Sequence, residues 1–420
     1  MAQAFALRVG GVLLSVAVAS LAARSLLPEK YGQFAWVMSL VALVTFPTTS
    51  GLRSLVTRET AYLHADGPAS RSYGLWRWSL NWSVQFSLVA TILILVWAIF
   101  VNIGDLSSID LLLCFILIFV SPVSKIFSGA LQGLGRVITS QITEVVIRPA
   151  LMLLVLVPVI IFLEPGTLPV SLYLVAYAAA SLGEVIFGAR FLGFLRPPIL
   201  RQVRTARMDL DKRSLMIAAL SFGGIGGIQV ANANLDVLML GILADSVSAG
   251  LFRSATTLAA LVSFGLVVIN IVTMSHFAKL HKEENTQKLQ SMLILSTRIV
   301  LAVAALSFVL LALFGKILLG LLFGGEFVGA NSALIILSIG QLASAFFGPV
   351  ALVLNMTGNE RVTLYSSLWS LAANVVLNVT LIPIWGATGA AVATAVSLLV
   401  WSVFLSLALK SRTGLRCALV

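Results

Sequence analysis

The sequence predicts an all-α polytopic membrane protein of twelve transmembrane helices, arranged as two six-helix bundles related by a pseudo-two-fold axis along the membrane normal. Three observations carry this expectation. Of the 420 residues, 59% are hydrophobic and only 10% are charged, with a mean hydropathy of +1.05, far beyond the composition of a soluble domain. Apolar stretches of the length a bilayer demands, about 20 residues per crossing, recur along the whole chain, separated by polar gaps too short to fold alone. Basic residues collect at alternate gaps, as they do in the cytoplasmic loops of membrane proteins.

Taken in order, the expected spans are 7–27, 34–57, 79–103, 109–131, 138–162, 169–193, 215–243, 249–275, 290–314, 330–355, 362–382 and 388–409. In the first, Arg8 followed by VGGVLLSVAVASLAA resembles a secretory signal, but the segment already has the length of a crossing and is read as one. The gaps after even-numbered spans, with the tail, hold Arg71 and Arg77, Arg136, the central basic stretch 196–213, Lys279 with Lys282 and Lys288, Arg361, and Lys410, Arg412 and Arg416. The central stretch carries Arg196, Arg201, Arg204, Arg207, Lys212 and Arg213 against Asp209 and Asp211, with Arg190 just upstream. The other gaps hold Glu29, Asp105, Asp110, Glu164, Asp245 and Glu326, with Lys30 and Lys316 as their bases. This asymmetry places both termini in the cytoplasm.

The central basic stretch divides the chain into halves expected at 1–205 and 206–420, and the halves look duplicated. A shift of 225 residues superposes Gly133 on Gly358, Arg136 on Arg361, Val137 on Val362, Leu156 on Leu381 and Pro158 on Pro383; a shift of 218 superposes Gly32 on Gly250 and Phe34 on Phe252. Punctuating Gly, Arg and Pro residues recurring at one offset carry the argument. An even number of spans per repeat makes the halves share orientation, with a cavity between them.

Several function classes drop out. A net charge of +11 could suit nucleic acid, yet its placement in alternate gaps is that of membrane loops, so no nucleic-acid partner is expected. Cys114 and Cys417 are the two cysteines, which excludes a disulfide framework or CxxC metal site. His64, His276 and His281 lack metal-ligand spacing, and no Walker loop exists. Gly324, Gly325, Glu326 and Phe327 spell a nucleotide-cyclase signature with no soluble domain around it. No cofactor is expected, and the short outer gaps leave no room for the carboxylate pocket of a membrane glycosyltransferase or polymerase.

Four stretches carry a family resemblance: SLAARSLLPEKYGQFAWVMSLVALVTFPTTSGLRSLVTRET at 20–60, NLDVLMLGIL at 234–243, LLFGGEF at 321–327 and LIPIWGATGAAVATAVS at 381–397. They resemble the polysaccharide and O-antigen flippases of the MOP superfamily, with Pro28, Tyr31 and Gly32 at the first outer turn and Gly51 and Arg53 beyond it. The resemblance implies two six-helix bundles and export of lipid-linked oligosaccharide across the bacterial inner membrane by alternating access, in company with polysaccharide assembly proteins. Related lipid II flippases carry two further helices that are not found here.

Ionisable side chains inside spans are costly and therefore functional candidates: Arg24, Arg53, Lys125, Glu144, Arg148, Glu184, Asp236, Arg253 and Arg298. Glu144 and Arg148, four residues apart, can pair along one helix face. Asp236 and Arg253 lie at similar depths in adjacent spans and are expected to pair. The remaining surplus is cationic: Arg53, Lys125, Arg148 and Arg298, with Arg24 near the outer end, are expected to lie unneutralised along the cavity and hold a pyrophosphate, Arg by a bidentate fork and Lys as a point charge. Glu144, Glu184 and Asp236 are candidates for ion coupling. Asn232, Asn234, Asn270, Asn374 and Asn378 are expected to join helices rather than bind sugar hydroxyls. Gly223, Gly224, Gly226 and Gly227 permit close approach, and Pro149 and Pro158 mark kinks. The expected function is a flippase for a polyprenyl-pyrophosphate-linked oligosaccharide. A cation-coupled multidrug antiporter is the alternative, disfavoured because its cavity needs unpaired acids.

Overall fold

The computed structural model describes residues 2–65, 70–100, 107–162, 166, 168–193, 211–415 and 417, and among these there is helix and turn but no strand. Ten helical stretches are long and apolar enough to cross a bilayer. Two of them, Gly10–Leu63 and Glu360–Thr413, run for 54 residues, more than twice what a crossing needs. Each changes direction inside. The first does so at Leu27 (φ 64, ψ 167), immediately before Pro28, whose ring disfavours helical geometry in the preceding residue. The second does so at Gly386 (φ 52, ψ −129), a conformation that glycine adopts without a Cβ penalty. The second break falls in a gap expected from the sequence, and the first at the last residue of the expected span 7–27.

The expected span 330–355 is interrupted. It consists of Asn331–Phe347 and Val350–Met356, parted at Gly348 (φ 73) and Pro349. Two further spans contain a wider, π-helical turn, Pro47–Leu52 and Ile142–Ile147. Proline explains both positions, because it lacks the N–H that an α-turn requires and crowds the preceding carbonyls. Pro47 opens the first segment, and Pro149 follows the second by two residues. Around Pro47 the hydroxyls of Thr45, Thr48 and Thr49 donate to the carbonyls of Val41 and Thr45, re-satisfying the loosened ladder.

The chain forms two compact units, Met1–Leu26 with Trp36–Leu235, and Leu27–Ala35 with Asp236–Val420. The chain thus passes between the units three times, twice within the helix Ala2–Phe46 and once within the helix Lys212–Leu243. Most of the central basic stretch, 194–210, lies outside the described residues, as do Asp105, Glu164 and Arg416.

In the first unit, Leu52, Leu55, Leu75, Trp76, Ile126, Leu131 and Ala219 make a continuous apolar core. Glycines let the π segment Pro47–Leu52 sit hard against the helix Lys212–Leu243: a Cβ on Gly51 would lie 2.4 Å from the Ala219 carbonyl oxygen, and one on Gly227 would lie 2.5 Å from the Phe46 ring. The expected close approach of the glycine run is therefore made onto this segment.

In the second unit, Phe277, Leu293, Val353, Leu354 and Leu409 form the core, and the tail residues Leu415 and Cys417 close over it. Phe327 of the GGEF stretch is buried in the 3-10 helix Gly325–Ala330 and meets Tyr31 edge-on at 5.7 Å, so that motif packs rather than catalyses. Gly32 and Gly250, mates at the 218-residue offset, face one another: a Cβ on either would lie within 3.1 Å of the other's backbone nitrogen. At the turn following the fourth span the duplication is offset differently. The positive-φ glycines are Gly135 (φ 75) and Gly358 (φ 77), whereas Gly133 is helical. Two acids of the expected outer gaps work as helix caps, Asp110 in a capping box with Ser107 and Asp245 accepting from the Ser248 N–H at 2.6 Å, a role independent of membrane side.

Candidate functional site

Five ionisable side chains converge in the first unit. The two π segments prepare this, since each ends one residue before a charged group of the cluster, Arg53 and Arg148, and the second also carries Glu144. π turns are rare and recur at functional positions. A third helix, Ser108–Gly133, contributes Lys125. Its approach is set by Gly129, where a Cβ would lie 2.7 Å from the Arg53 carbonyl oxygen, so the absence of a side chain one turn after Lys125 lets the two backbones close up.

Glu144 lies between two cations. Arg53 grips it as a fork, Nη1 to Oε1 at 3.1 Å and Nη2 to Oε2 at 2.9 Å, while Lys125 Nζ donates to Oε1. Ser128 Oγ approaches Oε2 at 3.4 Å and is itself tied to Ser140 Oγ at 2.8 Å. Arg148 turns instead to the helix Val170–Leu192. Its Nε donates to Glu184 Oε2 at 2.7 Å, Nη2 donates to the same oxygen, and Nη1 donates to the Tyr177 hydroxyl at 3.1 Å with the guanidinium 5.5 Å from the ring centroid. Glu184 is buried, with 1% of its side chain exposed, whereas Arg53 keeps 31% and Glu144 21%.

These contacts overturn the expectation that Arg53, Lys125 and Arg148 are unneutralised. Carboxylates far away in sequence clasp all three. The expected Glu144–Arg148 pairing is also absent, because the π turn between them alters the α-helical spacing on which an i,i+4 pair depends. Arg298 is exposed and, among the described residues, has no carboxylate within ion-pair distance. Arg24 is exposed and engaged in an interaction.

The second unit holds a different arrangement. Asp236, 4% exposed, accepts from Asn378 Nδ2 at 2.6 Å and from Thr394 Oγ1 at 2.8 Å, and Asn378 also donates to Asn374 Oδ1 at 3.0 Å. The expected pair with Arg253 does not form; a neutral amide and a hydroxyl from the helix Glu360–Thr413 take the carboxylate instead. Asn378 thus does join helices, whereas Asn374 is tied to Asn378 within one helix. Asn234 bonds its own helix at the Val230 carbonyl, Asn232 is exposed and Asn270 Oδ1 is buried without a donor. Sequence reasoning did not single out Tyr177, Ser128, Ser140 or Thr394. Tyr177 could have been found, since it lies two turns before Glu184 on one helix face.

The sequence profile of the family described as polysaccharide biosynthesis protein matches residues 5–281. The chain belongs to that family. A search of curated proteins finds no match. The chain is similar in fold to an inward-facing multidrug resistance MATE transporter of the MOP superfamily, with a TM-score of 0.75, 16% identity and 96% of each chain covered. It is likewise similar to the lipid II flippase MurJ in an inward closed conformation, with a TM-score of 0.71, 12% identity, and 96% of this chain and 86% of that one covered. A MOP superfamily transporter from Pyrococcus furiosus, described as having a binding pocket of reverse polarity, gives a TM-score of 0.58 at 16% identity over 99% of this chain and 93% of that one. The chain is therefore a multi-pass membrane protein with a MOP transporter fold.

Proposed function

We propose that the chain moves an anionic lipid-linked saccharide, a polyprenyl-pyrophosphate oligosaccharide, from the cytoplasmic to the outer leaflet of a bacterial inner membrane by alternating access. The halves 1–205 and 206–420 form the two moving bundles, related by an axis along the membrane normal. Among the described residues, ten apolar stretches, two of them 54 residues long and broken inside, support twelve crossings when each long one is counted twice. An even count, with the alternating basic gaps, supports both termini in the cytoplasm.

One observation carries the substrate class: three bases, Arg53, Lys125 and Arg148, stand against two acids, Glu144 and Glu184, in one membrane-embedded cluster. A surplus cation at that depth is costly, and a phosphate offsets it. Arg24 and Arg298 are further anion contacts along the path. Asp236 is the coupling candidate, because Glu144 and Glu184 are already neutralised by bases whereas the partners of Asp236 among the described residues are neutral. Polysaccharide assembly enzymes would supply and consume the substrate.

Fold similarity to a multidrug transporter favours a second reading, cation-coupled drug antiport, in which Asp236 would bind the cation. Deleting the gene and complementing it, with surface polysaccharide and drug susceptibility both measured, separates the two. Loss and rescue of surface polysaccharide with unchanged drug susceptibility supports export; the reverse pattern refutes it.

A further inference from the structure

Glu144 occupies a position that a simple structural ion pair would not require. It is one carboxylate shared by two bases, Arg53 at both oxygens and Lys125 at one, and the three side chains remain partly open, 31% for Arg53, 21% for Glu144 and 17% for Lys125. The neighbouring pair is built otherwise: Glu184 is sealed, and Arg148 is held by it, by the Tyr177 hydroxyl and by the Tyr177 ring. One pair is locked, and the other is accessible and short of negative charge.

Charge balance shows what could replace Glu144. Arg53 and Lys125 together carry two positive charges, and Glu144 answers one of them. A diphosphate diester, with one negative charge on each phosphate, answers both. It also offers oxygens for a bidentate guanidinium fork and for an ammonium, the same donors that now face Glu144.

Glu144 also lies on backbone suited to withdrawing it. The π turn Ile142–Ile147 holds an extra residue, and resetting it to α geometry rotates the side chains before it by about 100° relative to those after it. Gln141, the residue just before the π turn and three before Glu144, has a buried Oε1 with no donor among the described residues, so polar groups beside the turn are not all satisfied in this arrangement.

We infer that Glu144 is an internal counter-anion: it occupies the diphosphate-binding cations Arg53 and Lys125 in the empty carrier and is exchanged for the substrate's diphosphate on loading. The inference rests on the anionic-substrate reading above and names the cations that take the head group and the residue that competes for them. A resident competitor keeps the site from trapping adventitious phosphate and makes release of the substrate favourable, since Glu144 returns as it leaves.

The test is magnesium-free inorganic pyrophosphate binding to the purified, detergent-solubilised full chain, measured by titration calorimetry. Glu144→Gln is expected to bind pyrophosphate about tenfold more tightly than the wild type, as removing a nearby like charge from a partly buried site should. Adding Arg53→Gln or Lys125→Gln in the Glu144→Gln background is expected to reverse that gain. Should Glu144→Gln fail to insert, Glu144→Asp, which shortens the reach to both bases, is expected to tighten binding by a smaller factor. A purely structural role would weaken binding in both variants, and unchanged or weaker binding overturns the inference. If the wild type already binds as tightly as Glu144→Gln, and Arg53→Gln and Lys125→Gln weaken it, the counter-anion role fails while the anionic-substrate reading stands. If pyrophosphate binds no variant, both fail.

Discussion

Removing Glu184 should unfold the first unit far more readily than removing any other acid of the cluster. Its side chain is 1% exposed, two N–H groups of Arg148 converge on its Oε2, and its Oε1 has no donor. At the 2.7 Å Nε–Oε2 separation, Coulomb attraction at an effective dielectric near 20 is about 6 kcal/mol, which desolvation offsets in part. Glu184→Gln strands the Arg148 charge, and such a loss costs about 3–5 kcal/mol. Arg148→Met strands Glu184 and should cost a similar amount. The double variant strands neither charge, so its cost should fall well below the sum, with a coupling of at least about 2 kcal/mol. Denaturant unfolding of the four proteins in one detergent, followed by tryptophan fluorescence, completes the cycle. Additive costs would refute the reasoning and return Arg148 to the group of exchangeable, substrate-facing bases.

Other expectations follow from the same geometry. Gly129→Ala should push the Arg53 and Lys125 helices apart, because its Cβ meets a backbone oxygen at 2.7 Å; a loss of about 1–3 kcal/mol in the same unfolding assay checks this. Asp236→Asn should preserve insertion, since an amide can still bond Asn378 and Thr394, yet abolish any dependence of transport on an imposed ion gradient. Arg298→Ala should abolish export while membrane insertion persists, and a fully active variant removes Arg298 from the path. Cys417 lies in the tail after the last helix, and burial pushes its thiol above the ordinary range, with Ser406 at 3.1 Å. A raised pKa leaves less thiolate at neutral pH, so iodoacetamide should label it slowly in the folded chain and rapidly after denaturation.

The spans were legible because a bilayer imposes a length and a polarity that composition alone reveals. The charged residues were legible as candidates for the same reason. Their partners were not. Arg53 meets Glu144 across 91 positions, and Arg148 meets Glu184 across 36, contacts that only helix packing decides. The π turns escaped because Pro47 and Pro149 announce a disturbance without saying whether the helix kinks or widens. Asp236 and Arg253 matched in depth, but depth carries no helical phase, and Asp236 is taken by the helix bearing Asn378 and Thr394. The acids of the outer gaps were read as topology signals, whereas Asp110 and Asp245 cap helices and would be favoured there on either side of the membrane.

Transfer of an anionic lipid head group between leaflets is the activity proposed for this chain. The most direct measurement reconstitutes the full chain in liposomes containing a fluorescent polyprenyl-diphosphate saccharide and follows the appearance of the sugar in the opposite leaflet with a membrane-impermeant quencher. Quenching should accelerate over protein-free vesicles and slow again with Arg53→Gln. Equal rates with and without protein, or acceleration confined to cationic dyes, would contradict it.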